Sequence, residues 1–357
     1  MRMERIDRVL YAMRERNLSQ MIVSDPQSIW YLTGVDVEPY ERLFALLLRA
    51  DGKHVLFLNN LFHVEKTSLT EVWYSDTDDA VGMIAEQIET DAALGIDKVW
   101  PARFLIPLME KCPQMVPVLA SDCVDDCRAV KDGEEKELMR EASRINDAVM
   151  EKVAAFVREG MTEKQVAAFI EQEYVKAGCS GPSFSSIVSF GKNAADPHHE
   201  PDDTVLQAGD CVLVDMGCKK DRYCSDMTRT FFCKKATSRQ KEVHDLVRMA
   251  NEKAESIIRP GVRFCDIDAA ARDLITEAGY GSNFNHRLGH FIGQSEHEKG
   301  DVSSANTAQV KAGMIFSIEP GIYLEGDFGV RVEDLVLVTE DGCERLNRAD
   351  KHWRIIG

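Results

Sequence analysis

Cys211-Val212-Leu213-Val214-Asp215-Met216-Gly217 is followed by a polar run, Lys219-Lys220-Asp221-Arg222, and then by Tyr223-Cys224-Ser225-Asp226-Met227-Thr228-Arg229-Thr230. Two short segments rich in β-branched, aromatic and aliphatic residues around a polar turn read as a β-hairpin. Each strand carries one carboxylate at an otherwise apolar position, Asp215 and Asp226. With Lys220 and Asp221 at the tip, the register sets these carboxylates opposite each other, roughly 5 Å apart at Cβ. Ionised, they would repel by roughly 3 kcal/mol at an effective dielectric of ~20. Either one Asp holds a proton or a cation sits between them.

The rest of the chain bears on that choice. Between Asn285 and Glu298, three of the nine histidines (His286, His290 and His297) fall within twelve residues among glycines. A lone histidine is more often a structural hydrogen-bonder than a ligand; three in one Gly-rich stretch point to chemistry. Met314-Ile315-Phe316-Ser317-Ile318-Glu319-Pro320 reads as an apolar strand ending in a carboxylate. Gly329 to Val338 reads as a single strand with Glu333 in its middle, where alternation places Arg331 on the same face as Glu333. Asp215, Asp226, Glu319 and Glu333 outnumber the arginines at hand, Arg229 and Arg331. A pair of divalent cations would neutralise them. Four carboxylates and one imidazole form a hard, oxygen-rich set that suits manganese first, with cobalt or zinc as alternatives. Two such ions ~3.5–4 Å apart lower the pKa of a water they share towards ~7.

Composition excludes other classes. The chain has 357 residues, 44% hydrophobic and 29% charged, which fits a soluble protein with two domains. Its 43 basic and 60 acidic side chains give a formal net charge of −17, with no basic run to offset it. Nucleic acid and anionic membrane surfaces are therefore not expected partners. The N-terminus is charged and lacks the apolar core of a signal peptide, and runs such as Leu43 to Leu48 are too short to span a bilayer. Ten cysteines without a CxxC pair are expected to be free thiols in a reducing cytoplasm.

Organisation follows from periodicity. Residues 1–126 are expected to form an N-terminal α/β domain, with buried strands at Met21-Ile22-Val23 and Val55-Leu56-Phe57-Leu58 and an amphipathic helix from Ala80 to Glu89. A charged linker is expected from about Asp122 through Lys136, and residues 127–357 form the second domain. There a long helix (134–158) precedes a shorter one opened by Thr162 and Gln165 as a capping box, and a similar pair follows about a hundred residues later. The pattern suggests two αβ halves around one curved sheet, with a site between them.

In this arrangement Asp215, Asp226 in Ser225-Asp226-Met227-Thr228-Arg229-Thr230, His290, Glu319 in Ser317-Ile318-Glu319-Pro320-Gly321 and Glu333 in Val330-Arg331-Val332-Glu333-Asp334 resemble the five metal ligands of the pita-bread metallopeptidases. That family includes methionine aminopeptidase, aminopeptidase P, prolidase and the creatinase-fold relatives. The resemblance implies a pita-bread fold with a pseudo-two-fold repeat around a curved antiparallel sheet, preceded by a smaller creatinase-like domain. It implies that Asp226 and Glu333 bridge two ions, that Asp215 holds one, and that His290 with Glu319 holds the other. It gives His297 the role of steadying the tetrahedral intermediate; Glu319, as a metal-bound carboxylate within reach of the nucleophile, is the expected proton shuttle. His198, in Asp196-Pro197-His198-His199, matches the histidine near the scissile peptide, His286 a substrate-pocket histidine, and Arg331 the arginine that braces the bridging Glu. Departures at Phe291 and Gln294-Ser295 are expected at the pocket mouth.

An N-terminal domain of this type separates prolidases and aminopeptidases P from methionine aminopeptidases. The expected activity is cleavage of the bond before proline, as an Xaa-Pro dipeptidase acting on Xaa-Pro dipeptides. The alternatives are an Xaa-Pro aminopeptidase acting on longer peptides and, in another class, a catalytically silent peptide binder. A homodimer is also implied by the resemblance.

Overall fold

Strand Gln20–Val23, buried at all four positions, lies inside a six-stranded mixed sheet in the order Thr70–Tyr74, Val55–Asn59, Ala45–Arg49, Gln20–Val23, Ala93–Ile96, Val116–Leu119. Alternation divides its apolar side chains between two cores. Met21, Val23, Leu46 and Leu48 face one side with Ile6, Val9 and Met13 of helix Met3–Glu15; Ile22, Ala45, Leu47 and Phe57 face the other with Ile84 and Leu108. The computed structural model describes residues 2–357 and divides them into a unit ending at Arg128 and a unit spanning Ala129–Gly357. No helix among the described residues is long and apolar enough to cross a membrane.

Two local expectations change in the first unit. The helix from Ala80 stops at Ala85, because the backbone of Glu89 is taken by the Gln20 side chain, which donates to its carbonyl at 2.7 Å and accepts from its N–H at 2.8 Å. The stretch read as a charged linker contains helix Asp122–Ala129, whose Cys123, Val124 and Cys127 join the core of the first unit.

The second unit is built twice. Helices Gly133–Phe156 and Glu163–Lys176 precede strands Ile187–Phe190, Cys211–Met216 and Met227–Cys233, paired antiparallel in that order. Helices Ser238–Ser256 and Phe264–Glu277 precede Gly289–Phe291, Ile315–Ile318 and Asp334–Val338, paired the same way. Capping boxes start three of the four helices: Asp132 with Glu135, Thr162 with Gln165, and Thr237 with Gln240. The repeat reaches single side chains. Gly133 to Asn146 and Ser238 to Asn251 are both steps of thirteen residues along the long helix. Each buried Asn donates to the last carbonyl of its middle strand, Asn146 to Met216 O at 2.9 Å and Asn251 to Ile318 O at 2.7 Å.

The hairpin register differs from the expected one. Lys220 pairs with Tyr223, so the tip is Asp221-Arg222, both with positive φ (47° and 74°), as a two-residue type I′ loop requires. Asp215 therefore pairs with Thr228, and Asp226 falls in the break before strand Met227–Cys233. The segment read as a single strand through Glu333 is also two strands in different sheets. Phe328–Arg331 pairs with Gly321–Leu324, Asp334–Val338 pairs with Ile315–Ile318, and the Glu333 N–H donates to Thr228 O at 3.1 Å across the break.

Candidate metal centre and active site

Strand ends and breaks deliver the ligand candidates to one place. Asp215 is near the end of its strand, Asp226 and Glu333 occupy the two breaks, and Glu319 follows strand Ile315–Ile318. His290 sits in strand Gly289–Phe291, with its N–H donated to Ser317 Oγ at 3.0 Å. Gly289 is required beside it, since a Cβ there would lie 1.9 Å from Ser317 O. His290 Nε2 is 3.5 Å from Asp226 Oδ2, 3.6 Å from Glu319 Oε1 and 4.0 Å from Glu333 Oε1. Its Nδ1, 3.2 Å from Phe291 O, carries the proton, so Nε2 presents a lone pair to three carboxylates.

That arrangement fits a cation. Oδ1 of Asp215 and Oδ1 of Asp226 are buried with no hydrogen-bond partner, an arrangement that costs free energy unless something positive lies against them. Asp226, His290 and Glu333 each offer an atom within 4.8 Å of the others. Burial, reinforced by the neighbouring carboxylates, pushes the Asp226 and Glu333 carboxyls well above their ordinary range and that of Glu319 up to about 7. Protons take a cation's place at a hard donor set of this kind, and cation binding displaces them.

One cavity of about 490 Å³ is lined by all nine residues singled out in the sequence: His198, Asp215, Asp226, His286, His290, His297, Glu319, Arg331 and Glu333. The ring of His297 lies 4.0 Å from that of His290, centroid to centroid. Partial burial, with His290 and Arg287 nearby, lowers the His297 pKa to about 4, so the imidazole is neutral.

Two expectations need correction. Arg331 donates to Asp215 Oδ2 at 2.7 Å rather than to Glu333, because the strand break removes their common face. It reaches Glu333 through Thr228: Arg331 Nε donates to Thr228 Oγ1 at 3.0 Å, which donates to Glu333 Oε2 at 2.8 Å. His286 lines the cavity with both ring nitrogens engaged, Nδ1 with Arg287 O at 2.7 Å and Nε2 with Tyr323 OH at 2.9 Å. Phe291 and Gln294 are buried away from the pocket mouth. With His290 turned to the cavity, alternation sends Phe291 into an aromatic cluster with Phe264 and Phe316. Arg229 pairs with Asp334 at 2.7 Å and takes no part in the cavity.

Sequence reading missed Thr228 and Tyr323. The Tyr323 hydroxyl also accepts from Arg331 Nη1 at 2.9 Å. The signal for Thr228 was its place two residues after Asp226; for Tyr323 it was a polar-tipped aromatic in an apolar strand just after Glu319.

A buried carboxylate and imidazole set at the floor of an open cavity defines a metal-dependent hydrolase site. The chain belongs to metallopeptidase family M24, whose profile matches residues 137–340, and residues 5–130 match the creatinase/prolidase N-terminal domain. The second unit thus has the pita-bread fold. An uncharacterized peptidase of Staphylococcus saprophyticus subsp. saprophyticus is 36% identical over 356 residues, covering 97% of this chain and 100% of that protein. The crystal structure of dipeptidase PepE from Mycobacterium ulcerans is 34% identical with a TM-score of 0.92, covering 99% of this chain and 97% of that one. An Xaa-Pro dipeptidase from Bacillus anthracis is 27% identical with a TM-score of 0.92, covering 99% of each chain.

Proposed function

We propose that this metallopeptidase is an Xaa-Pro dipeptidase that works with two divalent ions, manganese first. The observation that carries the reading is the convergence of Asp215, Asp226, His290, Glu319 and Glu333 on the floor of the cavity that His198 and His297 also line. Asp226 and Glu333 would hold both ions, Asp215 one, and His290 with Glu319 the other. The bound ions supply Lewis acidity and an activated water.

The chain's own residues do the rest. Neutral His297 donates an N–H to the substrate carbonyl oxygen as negative charge develops there. His198, exposed at the cavity wall, orients the scissile peptide. Glu319 accepts from Ser317 Oγ at 3.3 Å through Oε1. Its Oε2 is left to take the proton of the attacking water and deliver it to the leaving proline nitrogen. Arg331 holds Asp215 directly and Glu333 through Thr228, so both carboxylates keep their aim without the substrate. The same reading places the catalytic domain at 127–357, after an N-terminal domain at 1–126, in a cytoplasmic homodimer.

Metal analysis combined with a peptide panel tests it. Divalent metal in the purified protein and release of proline from Xaa-Pro dipeptides, but not of the first residue from Xaa-Pro tripeptides, is the expected result. Cleavage of the tripeptides would make it an Xaa-Pro aminopeptidase; a protein without metal or turnover would be a binder.

A further inference from the structure

Two arginines line the cavity, and only one of them is committed. Arg331 donates to Asp215, Thr228, Tyr323 and the carbonyl of Pro197. The guanidinium of Arg287 makes no hydrogen bond or ion pair among the described residues, although four ligand carboxylates and Glu296 share the cavity with it. Its backbone, by contrast, is fixed from both sides. Arg272, tied to Asp268, donates to Phe284 O at 3.0 Å and His286 O at 2.8 Å. His286 Nδ1 holds Arg287 O at 2.7 Å, and the Glu319 N–H holds Leu288 O at 2.8 Å. A rigid segment thus presents one idle, half-buried cation to the reaction space, near enough for its charge to act on His290 and His297.

We propose that Arg287 binds the C-terminal carboxylate of a dipeptide substrate and is the residue that sets the preference for dipeptides; this rests on the Xaa-Pro dipeptidase reading above. The planar guanidinium fork matches a carboxylate with two parallel hydrogen bonds. In a dipeptide that carboxylate is carried by the proline itself, its carbon two bonds and about 2.5 Å from the scissile nitrogen. A longer peptide places a neutral amide there, which cannot form the charged pair. Arg287 is not the counter-ion of Glu296, since no ion pair joins them, and with the floor carboxylates neutralised by cations it is the positive group left without a partner.

The test compares Ala-Pro with Ala-Pro-amide on the manganese-loaded protein and on its Arg287→Met and Arg287→Lys variants. The wild-type preference for the free acid, as a ratio of kcat/KM values, is expected to fall on the order of 100-fold in R287M, chiefly through KM on Ala-Pro. R287K, which keeps the charge and loses the fork, should fall between the two. An equal loss on both substrates, or an unchanged ratio, overturns the anchor while leaving the dipeptidase reading standing. Wild-type protein that turns over neither substrate overturns the dipeptidase reading instead. The anchor is then judged by calorimetric titration of the same two dipeptides, where equal affinities in wild type and R287M reject it.

Discussion

Thr228 gives its one hydroxyl proton to Glu333 and takes a hydrogen bond from Arg331, so a single side chain relays the orientation of the arginine to the carboxylate. Thr228→Val keeps the shape and removes both bonds. Such supporting partners are worth about 10- to 100-fold in metal affinity. T228V should therefore bind manganese that much more weakly in a chelator competition, with little change in fold by circular dichroism. An unaltered dissociation constant would remove Thr228 from the supporting role. His286 teaches the complementary point at this scale. Its proximity to the cavity was legible, but its hydrogen bond to Tyr323 was not, since Tyr323 is 37 residues away in the chain.

At the scale of elements, the long helices control the ligand strands through Asn146 and Asn251. Asn251 Nδ2 holds Ile318 O, the residue before Glu319, and its Oδ1 accepts from the buried Lys351. Replacing it by Leu leaves that carbonyl and that ammonium short of a partner, at a cost of about 1–3 kcal/mol. For a unit of this size N251L should lower the melting temperature by roughly 2–12 °C, and it should reduce turnover because Glu319 loses its fixed approach. A variant with wild-type melting and turnover would show that the helix does not hold the strand.

The same scale shows which parts of the fold could be read in advance. Asp215 on an apolar strand, Glu319 at the end of another, and the Thr162 and Gln165 cap are local signals, and they led to the right elements. The hairpin register was displaced because Asp221-Arg222 adopts the loop that Asn-Gly usually marks, so no residue type announced it. The run from Gly329 to Val338 is apolar throughout apart from its charged residues, and nothing in such a run tells one strand from two that join different sheets. The site was legible because its chemistry needs unusual residues; the register was not, because any pleated sequence can slide.

For the molecule as a whole, the proposed ligand set is divided: Asp215 and Asp226 come from the first half of the repeat, and His290, Glu319 and Glu333 from the second. A cation held by this set would join the halves, so chelation should destabilise the fold. An ion present at 100 times its dissociation constant contributes about 2.7 kcal/mol. Treatment with a chelator should lower the melting temperature by roughly 5–10 °C, and manganese should restore it; identical melting in both states would mean that the ion stabilises nothing.

Acid acts elsewhere. Burial of His244 lowers its pKa from 6.5 to about 4, so the folded protein keeps the ring neutral while the unfolded chain takes up a proton below pH 6.5. The stability it contributes is complete above that pH and is lost as pH falls towards 4, by about 2 kcal/mol between pH 7 and pH 5. Denaturant titrations of wild type and His244→Leu at both pH values should differ by that amount in their pH dependence. A parallel decline in both would assign the acid sensitivity to other groups.

All ten cysteines are free, and all but Cys265 and Cys343 are buried. Burial pushes the Cys343 thiol up to about 11, which keeps it protonated and slow to react at neutral pH. A maleimide dye should therefore mark the native chain at Cys265 first, at Cys343 more slowly, and at the eight buried thiols only after the fold opens. The protein carries its own unfolding reporter, readable by mass spectrometry as a step in dye count, without any engineered tag.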